Sequence, residues 1–148
     1  MEARINVITL AVNDLERALT FYRDGLGLAS PGIVGTEFPG DDTNPAGAAA
    51  MFNLTGGLIL AVYPRTELAK DAAISAGPPN SGEFSIGHAV AGRAEVDALI
   101  AQAEAAGATV TDLGHDRAWG IYSGYFQDPD GHLWEVAWNP AFIPEDPG

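Results

Sequence analysis

The chain has 148 residues, a mass of 15.4 kDa and no cysteine, which excludes disulfides, thiolate nucleophiles and zinc-thiolate sites. Seven Lys and Arg stand against twenty Asp and Glu, and a net charge of −13 argues against nucleic-acid binding and against docking on anionic lipid. At 47% hydrophobic residues the chain can bury a real core, in one domain or in two small fused modules.

The opening Met1-Glu2-Ala3-Arg4-Ile5-Asn6 lacks the basic-then-apolar layout of a signal peptide, and no apolar run reaches membrane-spanning length, so a cytoplasmic location is expected. Val7 to Val12 (VITLAV) is a β-branched run that predicts a buried strand. Asn13 or Asp14 can cap a helix whose apolar stripe is Leu15, Ala18, Leu19, Tyr22 and Leu26, with Gly25 and Gly27 at its end. The Gly-, Pro- and Asp-rich stretch from Phe38 to Ala49 predicts a loop. Ala50 to Leu54 and Leu58 to Tyr63 predict two strands joined at Thr55-Gly56-Gly57, and a short helix is expected from Thr66 to Ser75. Ala76 to Gly82 (AGPPNSG) is linker-like.

The pattern then recurs. Ile86 to Val90 predicts a strand, and Val96, Leu99, Ile100 and Ala103 repeat the helical stripe 81 positions on (96 − 15, 99 − 18, 100 − 19, 103 − 22). Ala108 to Leu113, Ile121 to Asp128 and Leu133 to Trp138 predict three more strands, the last entered through the turn Asp128-Pro129-Asp130-Gly131. The tail carries Phe142 and Ile143, apolar residues expected to pack on a neighbour. Two copies of one unit of strand, helix and about three strands are a fold-level signal.

Ile8-Thr9-Leu10-Ala11-Val12-Asn13-Asp14-Leu15, with Phe21-Tyr22-Arg23-Asp24 and Leu26-Gly27-Leu28, resembles the opening module of the vicinal oxygen chelate superfamily. Tyr125-Phe126-Gln127-Asp128-Pro129-Asp130-Gly131-His132-Leu133-Trp134-Glu135-Val136 resembles its closing motif. That superfamily holds glyoxalase I, bleomycin-resistance proteins, extradiol dioxygenases and fosfomycin-resistance enzymes. The resemblance implies an α+β fold of two paired βαβββ modules, 4–65 and 84–139 with a linker at 66–83, forming a half-open barrel around a cavity.

In metal-dependent members four strand positions point into the cavity, and the resemblance carries them onto Val7, Ala61, His88 and Glu135. Only His88 and Glu135 bear donor atoms, so no full metal centre is expected, and a divalent ion would be weakly held. His88 is either a core histidine or a cavity group. Glu135 is either a structural carboxylate or a general base, and a contact with His88 would satisfy both readings. Trp119 and Tyr122 are expected to wall the mouth of the pocket, with Phe52, Val7 and Ala61 lining its apolar side. His132 is expected to face solvent, and His115, Asp116 and Arg117 to form a polar loop.

These features imply a glyoxalase-related protein with a small-molecule ligand. One reading is a lyase- or isomerase-type enzyme, favoured over a dioxygenase, that uses Glu135 with His88 for proton transfer. The alternative is a metal-independent binding protein of the bleomycin-resistance type. The superfamily habit also implies a homodimer, with neither nucleic acid nor membrane as partner.

Overall fold

A computed structural model describes residues 1–80 and 82–141; Phe142 and Ile143 lie outside the described residues. The chain divides into two compact units, Met1–Pro78 and Pro79–Gly148. The first runs β1 (Val7–Val12), α1 (Leu15–Leu19), β2 (Ile33–Val34), β3 (Ala49–Asn53), β4 (Ile59–Pro64) and α2 (Arg65–Ala72). Its sheet has the order β1-β4-β3-β2, with β1 parallel to β4 and the other neighbours antiparallel. The second runs β5 (Ile86–Ala89), α3 (Arg93–Ala105), β6 (Thr109–Asp116), β7 (Tyr122–Gln127) and β8 (Leu133–Trp138). Its order, β5-β8-β7-β6, with β5 parallel to β8, repeats the first topology. The protein is thus α+β, two βαβββ units each built on an open four-stranded mixed sheet.

Local chemistry explains the elements. The Asp14 carboxylate caps α1 by accepting from the Arg17 amide at 3.0 Å. The helix then widens into a π-helical turn over Thr20–Gly25 that keeps Phe21 and Tyr22 buried. Alternation sets the strands. On the α1 side Leu10, Val12, Leu60, Val62, Ala50 and Phe52 are buried, while Val7, Met51 and Asn53 on the other face are exposed. Gly56 and Gly57 take φ of +83° and +87° in the β3–β4 turn, where a side chain would be strained. Two-residue β2 is too short to show a period, and it falls where no strand was expected.

In the second unit Val96, Ile100 and Ala103 of α3 are buried, as are Phe126 and Val136 on the strands that α3 packs against, so the repeated helical stripe is the core stripe. Gly124 makes that contact fit. A Cβ there would lie 2.3 Å from Ile100 Cδ1 and 2.8 Å from the Asp112 carbonyl oxygen.

The strands repeat on a different offset from the helices. Ala61 lies opposite Thr9, and Glu135 lies opposite Gly87. Taking Ala61 and Glu135 as equivalent (135 − 61 = 74), β5 is displaced from β1 by 87 − 9 = 78 rather than 81. The three residues are absorbed by an extra first turn of α3, which starts at Arg93 where the counterpart of Leu15 is Val96. By strand register His88 is therefore the counterpart of Leu10, not of Val7.

Candidate functional site

The second unit places a cluster of polar side chains on the sheet face turned away from α3. Paired residues of neighbouring strands point the same way. Glu135 on β8 lies opposite Tyr125 on β7, and Ser123 stands one pair along on the same face. The Ser123 hydroxyl donates to Glu135 Oε2 at 2.9 Å and accepts from Arg117 Nε at 2.6 Å. Arg117 Nη2 donates to Asp112 Oδ2 at 2.9 Å and to the Ser123 carbonyl oxygen at 3.1 Å. The guanidinium lies over the Tyr125 ring, 5.2 Å from its centre.

Asp112 also meets His115 Nε2 at 2.9 Å, and His115 Nδ1 lies 3.0 Å from the Asp116 carbonyl oxygen. Both of these partners accept, so a protonated ring would donate to each of them. The Asp112 hydrogen bond accordingly holds the His115 pKa above its ordinary value. The His115 and Arg117 bonds hold the Asp112 carboxyl below the usual carboxylate range. Tyr125 is pushed up by burial and by the Glu135 charge, so its hydroxyl stays a proton donor toward that carboxylate.

Register explains why sequence reading missed this group. Along β6 the pairing advances from Val110 to Asp112 while β7 moves one residue, and from Asp112 to His115 while β7 moves two. Each step inserts one extra residue, a β-bulge. The bulges bring Asp112 and His115 to the face that carries Tyr125 and Ser123. Had the Val110–Phe126 register continued without them, Thr111 and Leu113 would have stood opposite Tyr125 and Ser123 instead. The strand also runs on through Asp116, so His115 and Asp116 belong to β6 rather than to a loop.

The expected site residues are placed as follows. His88 lies opposite Val136, on the α3 face, one residue out of step with Glu135, so the two do not meet. It is exposed, yet enough protein surrounds the ring for burial to lower its pKa. Tyr122 is also on the α3 face, where its hydroxyl donates to Asp97 at 2.8 Å and Arg93 covers its ring. Trp119 sits in the turn between β6 and β7 at φ +68° and is 92% exposed. Phe52 is wholly buried in the first unit with its ring 5.6 Å from that of Tyr22, so it is core. Val7 and Ala61 share the face of that unit away from α1; Val7 is exposed and Ala61 is buried. His132 does not face solvent: its ring nitrogen Nδ1 lies 2.7 Å from Asp128 Oδ2, and that carboxylate also accepts the His132 amide.

The donor set does not fit a metal centre of the superfamily's kind. Val7 and Ala61 offer no lone pair, and His88 and Glu135 occupy opposite faces of one sheet. Among the described residues no three His, Asp or Glu side chains converge as a metal site requires. Nor is any described helix long and apolar enough to cross a membrane.

A family model described as Glyoxalase/Bleomycin resistance protein/Dioxygenase superfamily matches residues 4–136. A glyoxalase-related enzyme from Fulvimarina pelagi is 27% identical with a TM-score of 0.81, over 99% of this chain and 96% of that one. A lactoylglutathione lyase from Agrobacterium tumefaciens is 26% identical with a TM-score of 0.64, over 98% of this chain and all of that one (100%). A glyoxalase/bleomycin resistance protein/dioxygenase from Nocardioides, 22% identical with a TM-score of 0.73 over 100% and 91% of the two chains, shares the fold. No curated protein matches the sequence.

Proposed function

Because the chain belongs to the Glyoxalase/Bleomycin resistance protein/Dioxygenase superfamily, we propose that it is a glyoxalase-related enzyme of the lyase or isomerase kind in which Glu135 transfers a proton. The observation that supports this is the setting of Glu135. Its carboxylate is fixed at Oε2 by the buried Ser123 hydroxyl, with a protonated Tyr125 beside it and the Arg117 charge one hydroxyl away. A carboxylate so held can take a hydrogen from a carbon next to a carbonyl. The C–H electron pair then moves into the carbon framework and the carbonyl pair onto its oxygen, where a fixed cation stabilises the enolate. Return of the proton to the neighbouring carbon completes an isomerisation, and loss of a β-substituent completes an elimination. His88, on the other face, takes no part in this proposal.

The test is deuterium exchange from heavy water into small 2-hydroxy and 2-oxo carbonyl compounds, followed by proton NMR. Replacing Glu135 by Gln keeps the shape and removes the base, so exchange should fall by about 10²- to 10⁴-fold. Equal exchange by the two proteins overturns the assignment.

The second reading is metal-independent binding without turnover. It is favoured by the apolar Val7 and Ala61 at positions where metal-dependent relatives carry ligands. A wild-type protein that binds these compounds and exchanges none of them supports it. Homodimer assembly belongs to the same proposal, and a monomer by sedimentation at micromolar concentration overturns it.

A further inference from the structure

Arg117 is held along one side only. Its Nε and Nη2 are committed to Ser123 and Asp112, and among the described residues no hydrogen bond engages Nη1. The Tyr125 ring beneath the guanidinium and the Asp112 carboxylate at its end restrain it. Nor does it neutralise Glu135 directly: the buried Ser123 hydroxyl stands between them, accepting from one and donating to the other.

A cation is held here in a chain poor in cations. The chain as a whole carries −13. On this face the Asp112 and Glu135 carboxylates stand with the Arg117 guanidinium, and His115 is hydrogen-bonded to Asp112. The neighbouring Asp116 carboxylate is turned to Arg93 at 2.8 Å. An anion approaching Nη1 therefore meets a guanidinium held in place by hydrogen bonds, on a chain whose net negative charge otherwise disfavours anions.

We propose that this face recognises a small 2-hydroxy or 2-oxo acid, its carboxylate received by Arg117 Nη1 and its C2–C3 end directed at Glu135. The inference rests on taking the Glu135 face as the ligand site and adds the substrate class. Arg117 is then the specificity residue, and Asp112 and Ser123 position it.

The test is binding, read by calorimetry and ligand-detected NMR with lactate, lactamide, mandelate and mandelamide. Each pair differs only in whether the terminal group is an anion. The wild type should bind each acid about tenfold or more tightly than its amide, the worth of one charge-assisted hydrogen bond. Arg117→Gln should erase that preference, and Glu135→Gln should retain it. Amides that bind as well as the acids, no binding of either acid at millimolar concentration, or an acid preference that survives Arg117→Gln each overturn the proposal. Should Arg117→Gln fail to fold, the wild-type ratio of acid to amide decides alone. Acid preference without deuterium exchange removes the proton-transfer role of Glu135 and leaves this inference standing; exchange without acid preference does the reverse.

Discussion

Ser123 and Glu135 are joined across the β7–β8 pair by a 2.9 Å hydrogen bond whose donor hydroxyl is completely buried. The same oxygen accepts from Arg117. Removing it strands a carboxylate oxygen and a guanidinium N–H at once. Ser123→Ala should destabilise the protein by about 1–3 kcal/mol, the usual cost of leaving buried polar partners unmade. Urea denaturation checks this, and a change within error of zero would show that water replaces the hydroxyl freely.

His115 and His88 should titrate on opposite sides of the ordinary imidazole value of 6.5, His115 above it through its bond to Asp112 and His88 below it through burial. For His115 the folded pKa is the raised one. Its stabilising contribution is therefore complete below 6.5 and disappears as pH climbs through the higher folded value. For His88 the sign reverses: folding disfavours the cation, so stability is lost as pH falls from 6.5 through the lower folded value. Imidazole NMR against pH reads both midpoints, and the reverse order would refute the assignment. Denaturation should show His115→Gln destabilising more at pH 6 than at pH 9.

Phe52 separates core from ligand wall. Packed against Tyr22 with no exposed surface, it should cost about 3–5 kcal/mol when replaced by Ala. Thermal and chemical denaturation measure this. A stable Phe52→Ala protein with weakened ligand binding would instead return the ring to the pocket.

Trp119 holds a left-handed backbone conformation with its side chain in solvent. A non-glycine residue there carries a strain of roughly 1–2 kcal/mol. Trp119→Gly should relieve most of it and raise the melting temperature, since little packing is lost. If the ring also touches ligand, the stabilised variant should bind more weakly, which the acid titrations would detect. A lowered melting temperature would show that the indole packs on something.

Much of the scaffold could be read from residue periodicity. β1 and β8 have the predicted ends, and the buried stripe of α3 is the one that repeats α1. Glu135 stood out as a charge inside an apolar strand. The Arg117, Asp112 and His115 cluster did not, because two bulges shift the alternation of β6 and no local signal in TVTDLGHD announces them. His88 misled for a related reason. The helical repeat is regular at 81, but the extra turn of α3 breaks the count before it reaches β5. Offsets measured on one element do not carry across a connection whose length differs.

The bulges in β6 also separate what can vary from what must not. β7 and β8 keep an unbroken register from Tyr122–Trp138 to Gln127–Leu133, so the seat of Glu135 does not depend on how β6 is spaced. A residue gained or lost near Leu113 or Gly114 would rotate which β6 side chains lean over that seat without moving the seat itself. Descendants of this chain could exchange the anion-receiving cation for a different group by indel rather than by rebuilding the sheet. Chemistry and selectivity would then evolve on separate parts of the same sheet.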